Sequence, residues 1–226
     1  MIRTILFDLD DTLYPPEAGI MFEIRKRILE FTMTRLDLPM PEADTLRRRY
    51  FMEYGTSMRG LQINHQIDPD DFLHFVHDIA VQDLLEPNAE LDAMLAGLEQ
   101  DKVIFTNASR EHAERVLEAL GVRHHFSRIV DVRDMAYESK PQPSAYQRIC
   151  DLLGVQAQEC MLVEDNVRNI RPAKAQGMTT ALVLDGQPAS DPPNDPSVDF
   201  TLRRVEEMGE LFREFTCLRL GPEATP

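Results

Sequence analysis

Asp8, Asp10, Asp11 and Thr12 stand within five positions, directly after the short apolar run Thr4-Ile5-Leu6-Phe7. Three further segments have the same form, a buried-looking run followed at once by groups able to do chemistry. Thr106 and Asn107 follow Lys102–Phe105, Glu164 and Asp165 follow Cys160–Val163, and Lys140 lies in Ser139-Lys140-Pro141 beyond the weaker run Arg128–Val130. Carboxylates crowded together repel one another unless a cation lies between them, and hard oxygen ligands suit Mg²⁺. A carboxylate can attack phosphorus, a lysine and a hydroxyl can hold phosphoryl oxygens, and a second carboxyl two residues on can protonate the leaving oxygen. The chemistry these residues could do together is metal-assisted transfer of a phosphoryl group through an aspartyl-phosphate.

The elements that must position them read as a parallel α/β sheet. Continuous apolar runs mark strands buried on both faces, and Thr180–Leu184 adds another. Between them lie helical patterns that stop at glycine: 111–120 before Gly121, 143–153 before Gly154 and 167–176 before Gly177. In an open sheet of this kind ligands bind beyond the carboxyl ends of the strands, where all four chemical segments fall. The expected fold is therefore a three-layer α/β/α Rossmann-like core.

Residues 16–88 interrupt this alternation with helices only. Ile20, Ile24, Ile28 and Phe31 step at helical spacing, a second helix starts near Pro41, and a third starts at Asp68-Pro69. The expected organisation is a core of residues 1–15 and 89–226 with an all-helical insert at 16–88. Pro188–Pro196 reads as a loop and the tail after Gly221 as frayed.

The formal charge is −15, which disfavours nucleic acid and anionic membranes as partners. The first apolar run is too short for a signal peptide or a membrane span. Cys150, Cys160 and Cys217, widely spaced and without a CxxC, fit reduced thiols and a cytoplasmic setting, with Cys150 and Cys160 as small buried hydrophobes.

Asp8-Leu9-Asp10-Asp11-Thr12 resembles the DxDxT signature of the haloacid dehalogenase superfamily, and Thr106-Asn107, Lys140-Pro141 and Glu164-Asp165 follow in that superfamily's order. The resemblance implies Asp8 as nucleophile and metal ligand, and Asp10 as general acid/base with its carbonyl on the metal. It implies Thr106 and Lys140 on the phosphoryl group, Asp165 as an acidic Mg²⁺ ligand, and Glu164 either on the metal or acting through water. Asn107, Asn166 and Asn169 would be supporting residues, with Asn107 near the substrate. The insert would be a C1-type cap closing over the site.

Tyr50 to Leu61, with Asp11-Thr12-Leu13-Tyr14-Pro15, resembles the pyrimidine 5′-nucleotidase branch, implying a pyrimidine nucleoside monophosphate as substrate. Two tyrosines four apart precede a glycine-flanked turn carrying Thr56 and Arg59. Tyr54 could stack on a base while Thr56 and Arg59 bind its carbonyls or the ribose. The alternative is that the aromatic pair is core and Arg59 pairs with Glu53.

Other readings stand beside this one: a broad-specificity phosphatase, a phosphomutase on sugar phosphates, and a catalytically silent binding protein. A dehalogenase would have no use for Asp10. His74 and His77 with Asp70, Asp71 and Asp78 read as a solvated face, His124-His125 as a turn, and Arg47-Arg48-Arg49 as an exposed charge run.

Overall fold

The computed structural model describes residues 1–185 and 194–213. Six parallel strands form one sheet in the order β3-β2-β1-β4-β5-β6. They are β1 (Thr4–Phe7), β2 (Asp101–Phe105), β3 (Arg128–Val130), β4 (Cys160–Glu164), β5 (Thr179–Val183) and β6 (Phe200–Leu202). β1 lies between β2 and β4, so the segments that follow these three strands meet at one edge.

The strand pleat sends alternate residues to opposite layers. Ile5 and Phe7 join one apolar cluster and Leu6 the other, so each layer of helices covers one sheet face. The strands expected from the apolar runs are all present. β6 was not expected: it has only three residues, of which Leu202 alone is buried, and carries little apolar signal. Most of Pro188–Pro196, Cys217 and the tail after Gly221 lie outside the described residues.

Between β1 and β2 the described residues hold helices only. These are α1 (Ile20–Leu36), α2 (Met40–Tyr54), α3 (Ser57–His65), α4 (Pro69–Val76) and α5 (Ala89–Ala96). α5 packs in the apolar cluster beneath the sheet through Leu91, Met94 and Leu95. The first four stand over the carboxyl edge. α1 turns Ile20, Ile24 and Phe31 inward at the expected spacing. Asp68 caps α4, accepting from the Asp70 N–H, with Pro69 in the first turn.

α3 corrects the sequence reading, which has a turn there. Thr56 is its N-cap, its hydroxyl accepting the Arg59 N–H at 3.2 Å, and Gly60 lies inside the helix. Gly60 is there for packing: a Cβ would sit 2.2 Å from Cγ of Tyr50, so α2 and α3 cross with the tyrosine ring flat on the glycine. At the preceding corner Gly55 has φ +92°, and a Cβ on it would lie 2.8 Å from the Lys140 carbonyl oxygen and 2.9 Å from Pro141 Cδ.

The remaining helices are α6 (Arg110–Ala119), α7 (Pro143–Leu153) and α8 (Val167–Ala175). Ser109 caps α6 and Asn166 caps α8, while Gly154 closes α7 in the left-handed region at φ +65°. Cys150 and Cys160 are buried free thiols, as their apolar contexts suggest.

Polar ties hold the helical insert to the rest. Arg133 bonds Asp70 at 2.6 Å, and the Tyr137 hydroxyl donates to the same carboxylate. Arg168 donates to the carbonyls of Phe51 and Met52, both at 2.7 Å.

Candidate active site

The floor of the site is a buried charge triplet. Lys140 Nζ donates to Asp8 Oδ1 and to Glu164 Oε2, each at 2.8 Å, and Asn169 Nδ2 donates to Glu164 Oε1 at 3.0 Å. The lysine is 1% and Glu164 0% exposed. β1 and β4 supply the two carboxylates. Lys140 arrives on the segment after β3 and is fixed by its own peptide, since Asn107 accepts from the Lys140 N–H at 2.8 Å and donates to its carbonyl at 2.9 Å. Asn107 thus clamps the lysine peptide while lining the cavity. Thr106 is buried beside it, its hydroxyl accepting the Ala108 N–H at 3.0 Å.

Burial raises the Asp8 carboxyl, Glu164 raises it further and Lys140 pulls it back, leaving it at about 7. Asp165 is pushed up to about 10 by burial, then by Glu164 and Asp8. Lys140 is raised despite its burial, because Asp8 and Glu164 hold its charge.

Oxygens of Asp8, Glu164 and Asp165 come within 4.8 Å of one another. The Lys140 ammonium bonds two of these three carboxylates, and Asp11 Oδ1, buried nearby, has no hydrogen-bond partner among the described residues. Such crowding favours a further cation, and an all-oxygen donor set fits a hard divalent ion. Both Glu164 oxygens are hydrogen-bonded, one by Lys140 and the other by Asn169, and Glu164 stands with Asp8 and Asp165 in the carboxylate group able to hold a metal.

Asp10 is oriented by residues the sequence reading passed over. Tyr14 OH donates to its Oδ1 at 2.5 Å, and His112 Nε2 lies 2.8 Å from the same oxygen. Burial acts to raise Asp10, but His112 and these hydrogen bonds outweigh it and hold the carboxyl below its usual value. His112 stacks on His77 with ring centroids 4.5 Å apart, and His77 Nδ1 meets Ser109 Oγ at 3.0 Å. His77 is 6% exposed, so the expectation of a solvated face fails there; the helix that carries it ends against α6. Only spatial proximity joins Asp10 to a histidine 102 residues away, and no local spacing announces it.

A cavity of about 380 Å³ opens above this floor. Asp8, Asp10, Asp11, Thr106, Asn107, Lys140, Glu164 and Asp165 line one side, while Met21, Ile24, Ile28, Phe51, Met58, Phe72, Leu73 and Val76 line the other, with Arg25 and Arg47 among them.

Thr56 is in the lining, but Tyr54 and Arg59 are not. Tyr54 turns towards α3, its ring 5.7 Å from that of Tyr50 and its hydroxyl accepting from Asn64. Arg59 pairs with Gln62 at 2.7 Å and Glu138 at 3.4 Å rather than with Glu53, tying α3 to the segment that carries Lys140. Both residues are packing and strut. Phe51, next to Tyr50 in sequence, belongs to the cavity lining and is 40% exposed, with the Arg168 guanidinium 4.9 Å over its ring. Arg47 is not exposed as expected: it lines the cavity, bound to Asp44, whereas Arg48 is solvated.

Comparison with known families agrees with this geometry: the description of haloacid dehalogenase-like hydrolases matches residues 2–177. The chain belongs to that family. Among curated relatives, this haloacid dehalogenase-like hydrolase is 28% identical over 193 residues to Phosphate metabolism protein 8 of Saccharomyces cerevisiae, covering 78% of this chain and 60% of the yeast protein. It is 27% identical over 231 residues to the Glyceraldehyde 3-phosphate phosphatase of Methanopyrus kandleri, covering 95% and 98% of the two chains.

In fold, the hydrolase is similar to L-2-haloacid dehalogenase from Xanthobacter autotrophicus, with TM-score 0.61, 17% identity and coverage of 94% and 99%. A haloacid dehalogenase-type phosphatase from Thermococcus onnurineus gives TM-score 0.60 at 20% identity, over 93% and 98% of the chains.

Proposed function

We propose that this hydrolase is a Mg²⁺-dependent phosphomonoesterase that forms and hydrolyses an aspartyl-phosphate on Asp8. The carrying observation is Lys140 held between Asp8 and Glu164 at 2.8 Å on the floor of a cavity that also contains Asp10 and Asp165. Asp8, Asp165 and the backbone carbonyl of Asp10 would hold the metal. When bound, Mg²⁺ supplies positive charge for the phosphoryl oxygens and relieves the repulsion among the carboxylates.

The Asp8 carboxylate attacks phosphorus and the ester P–O bond breaks. Asp10, whose carboxyl lies below its usual value in the free enzyme, takes up a proton as the anionic ester binds beside it and gives that proton to the leaving oxygen. Lys140 and Thr106 hold the phosphoryl oxygens as charge moves among them. Asp10 then takes a proton from water, which attacks the aspartyl-phosphate, releases inorganic phosphate and restores Asp8.

Residues 16–88 act as a cap that selects the leaving group, and the leading substrate is a pyrimidine nucleoside 5′-monophosphate. The support is an apolar slot with Phe51 at its side and two arginines within it, a surface suited to a flat heterocycle. Thr56 is retained as a candidate contact, whereas Phe51 takes the stacking role that the sequence reading gives to Tyr54. A second reading, a phosphatase for small sugar or acid phosphates, has support from relatives of nearly full coverage such as the Phosphoglycolate phosphatase of Aquifex aeolicus, 26% identical over 220 residues.

Phosphate release from UMP, CMP, AMP, GMP, phosphoglycolate and sugar phosphates, with Mg²⁺ and with EDTA, tests both readings. Release from UMP and CMP above the rest, lost in EDTA, is expected. Preference for phosphoglycolate would move the substrate to the second reading. Isomerised product without free phosphate would identify a mutase, and silence on every ester would overturn the enzyme.

A further inference from the structure

Asp10 presents its two oxygens to different surroundings. Oδ1 takes both the Tyr14 hydroxyl at 2.5 Å and His112 Nε2 at 2.8 Å. Oδ2 has no hydrogen-bond partner among the described residues, and Asp10 lines the cavity.

His112 is suited to donating here. Its side chain is buried, and its Nδ1 is buried with no hydrogen-bond partner among the described residues. A proton on Nδ1 would be stranded, so the tautomer that fits carries its hydrogen on Nε2, aimed at Asp10. The ring is held in turn. Its backbone N–H bonds the Ser109 cap at 3.3 Å, and the His77 ring lies on its face, itself tied to Ser109. Arg115 donates to the His77 carbonyl, fixing the end of α4 against α6.

We infer that Tyr14 and His112 are positioning residues that saturate one oxygen of Asp10, so that the other oxygen alone carries the proton to and from the reacting ester. The inference rests on the phosphomonoesterase reading and assigns to it two residues and one oxygen. In the forward step the proton leaves Oδ2 for the ester oxygen as the P–O bond breaks, and Oδ2 receives a proton from water in the return step. Throughout, Oδ1 remains the acceptor of two hydrogen bonds, which keep the carboxyl plane from rotating. His77 extends this support to the insert, since it reaches His112 from α4.

A poor leaving group needs its proton more than a good one does, so the test is the dependence of kcat/KM on leaving-group acidity. The probes are dinitrophenyl, nitrophenyl and phenyl phosphate, with Mg²⁺, on wild type, Tyr14→Phe, His112→Ala and His112→Gln. Wild type is expected to vary little across the series. Tyr14→Phe and His112→Ala should lose about 30-fold or more on phenyl phosphate and less than about 3-fold on dinitrophenyl phosphate, within the ordinary range for acid–base assistance. His112→Gln, which can place an amide N–H near Nε2, should recover most of the loss on phenyl phosphate.

Equal losses on all three esters, or no rescue by glutamine, would overturn the positioning role while leaving the phosphatase reading intact. Absence of wild-type turnover on every probe would instead sink that reading. Tyr14→Phe removes a single oxygen, so it carries the test if His112→Ala does not fold.

Discussion

On the floor of the cavity Lys140 and both oxygens of Glu164 have partners at 2.8–3.0 Å, with Asp8, Lys140 and Glu164 buried and Asn169 half-buried. Across the same cavity, the helices of the insert present methionines, isoleucines, leucine, valine and phenylalanines, with Arg25 and Arg47 the two cations among them. The floor is specified by directional bonds between charges, where a shift of one ångström would strand an ion. The roof is specified by shape and apolar area, which tolerate exchange among residues of similar volume. One surface can therefore fix a reaction while the other is free to change what is brought to it. The clearest ways to break this contrast are substitutions that should hit one side and spare the other.

The largest effect is expected for Asp8→Asn. Turnover of any ester should fall by about ten-thousand-fold or more, because no other group replaces the nucleophile. The apparent melting temperature should hold or rise, since one of three mutually repelling carboxylates is gone. A melting temperature several degrees lower would mean that the floor is held by the Asp8–Lys140 pair and not strained by carboxylate repulsion.

Next is Lys140→Met, which leaves Glu164 buried without its cation. Urea denaturation should show a loss of about 3–5 kcal/mol. A loss below about 1 kcal/mol would show that the floor tolerates what the roof tolerates.

Mg²⁺ at ~100-fold above its Kd should add about 2.7 kcal/mol by mass action, a melting shift of roughly 5–10 °C. Asp165→Asn should remove most of that shift and Phe51→Ala none. Calorimetric scans with Mg²⁺ and with EDTA check both.

On the roof, Phe51→Ala should raise KM for UMP about tenfold while altering phenyl phosphate less. Arg59→Ala should change both esters alike, because its partners are Gln62 and Glu138. A loss confined to UMP on Arg59→Ala would return base recognition to that arginine.

The smallest effect concerns the seam between the two sides. Burial, reinforced by His112, holds the His77 imidazole well below its usual value, while Asp10 acts the other way and Arg115 and Arg133 add to the depression. Below pH ~6.5 the unfolded chain therefore takes up a proton that the native state refuses. The contribution of His77 to stability is full above that value and falls as pH drops, by about 1 kcal/mol over the first unit. Asp8 and Asp165, whose carboxyls are raised, act the other way over this range, so the His77 contribution is read as the difference in slope between wild type and His77→Gln in melting curves from pH ~7.5 to ~5.5. An unchanged slope would mean that another group carries the acid sensitivity.

The floor was legible in the sequence because it is built from strand ends. Four apolar runs, each followed by polar residues, locate Asp8, Thr106, Lys140 and Glu164 through parallel-sheet topology alone. The roof was legible only as helices. Which face of α2 looks inward depends on its crossing with α3, which is set by Gly60 beneath the Tyr50 ring. The reading of a tyrosine face four residues apart put Tyr54 forward, whereas it is Phe51 that belongs to the cavity lining. Partners for Asp10 escaped notice for another reason: α6 shares no periodicity with the first strand, and its start looks like an ordinary capped helix. Arg47 misled because it belongs to a run of three arginines, of which Arg48 is solvated.

Gly55, finally, behaves as a shim of zero thickness. With nothing beyond Cα, it lets the corner between α2 and α3 rest on the Lys140 peptide, and one methyl would collide with the carbonyl oxygen at 2.8 Å. The headroom above the nucleophile is thus gauged by an atom that is not there. A bulkier residue at this corner, itself part of the cavity lining, would tilt the plate of α2 and α3 away from the lysine and enlarge the chamber. Retuning the enzyme towards larger esters would then be a matter of jacking up a lid at its bearing point, a kind of change that a search restricted to pocket-lining side chains would never sample.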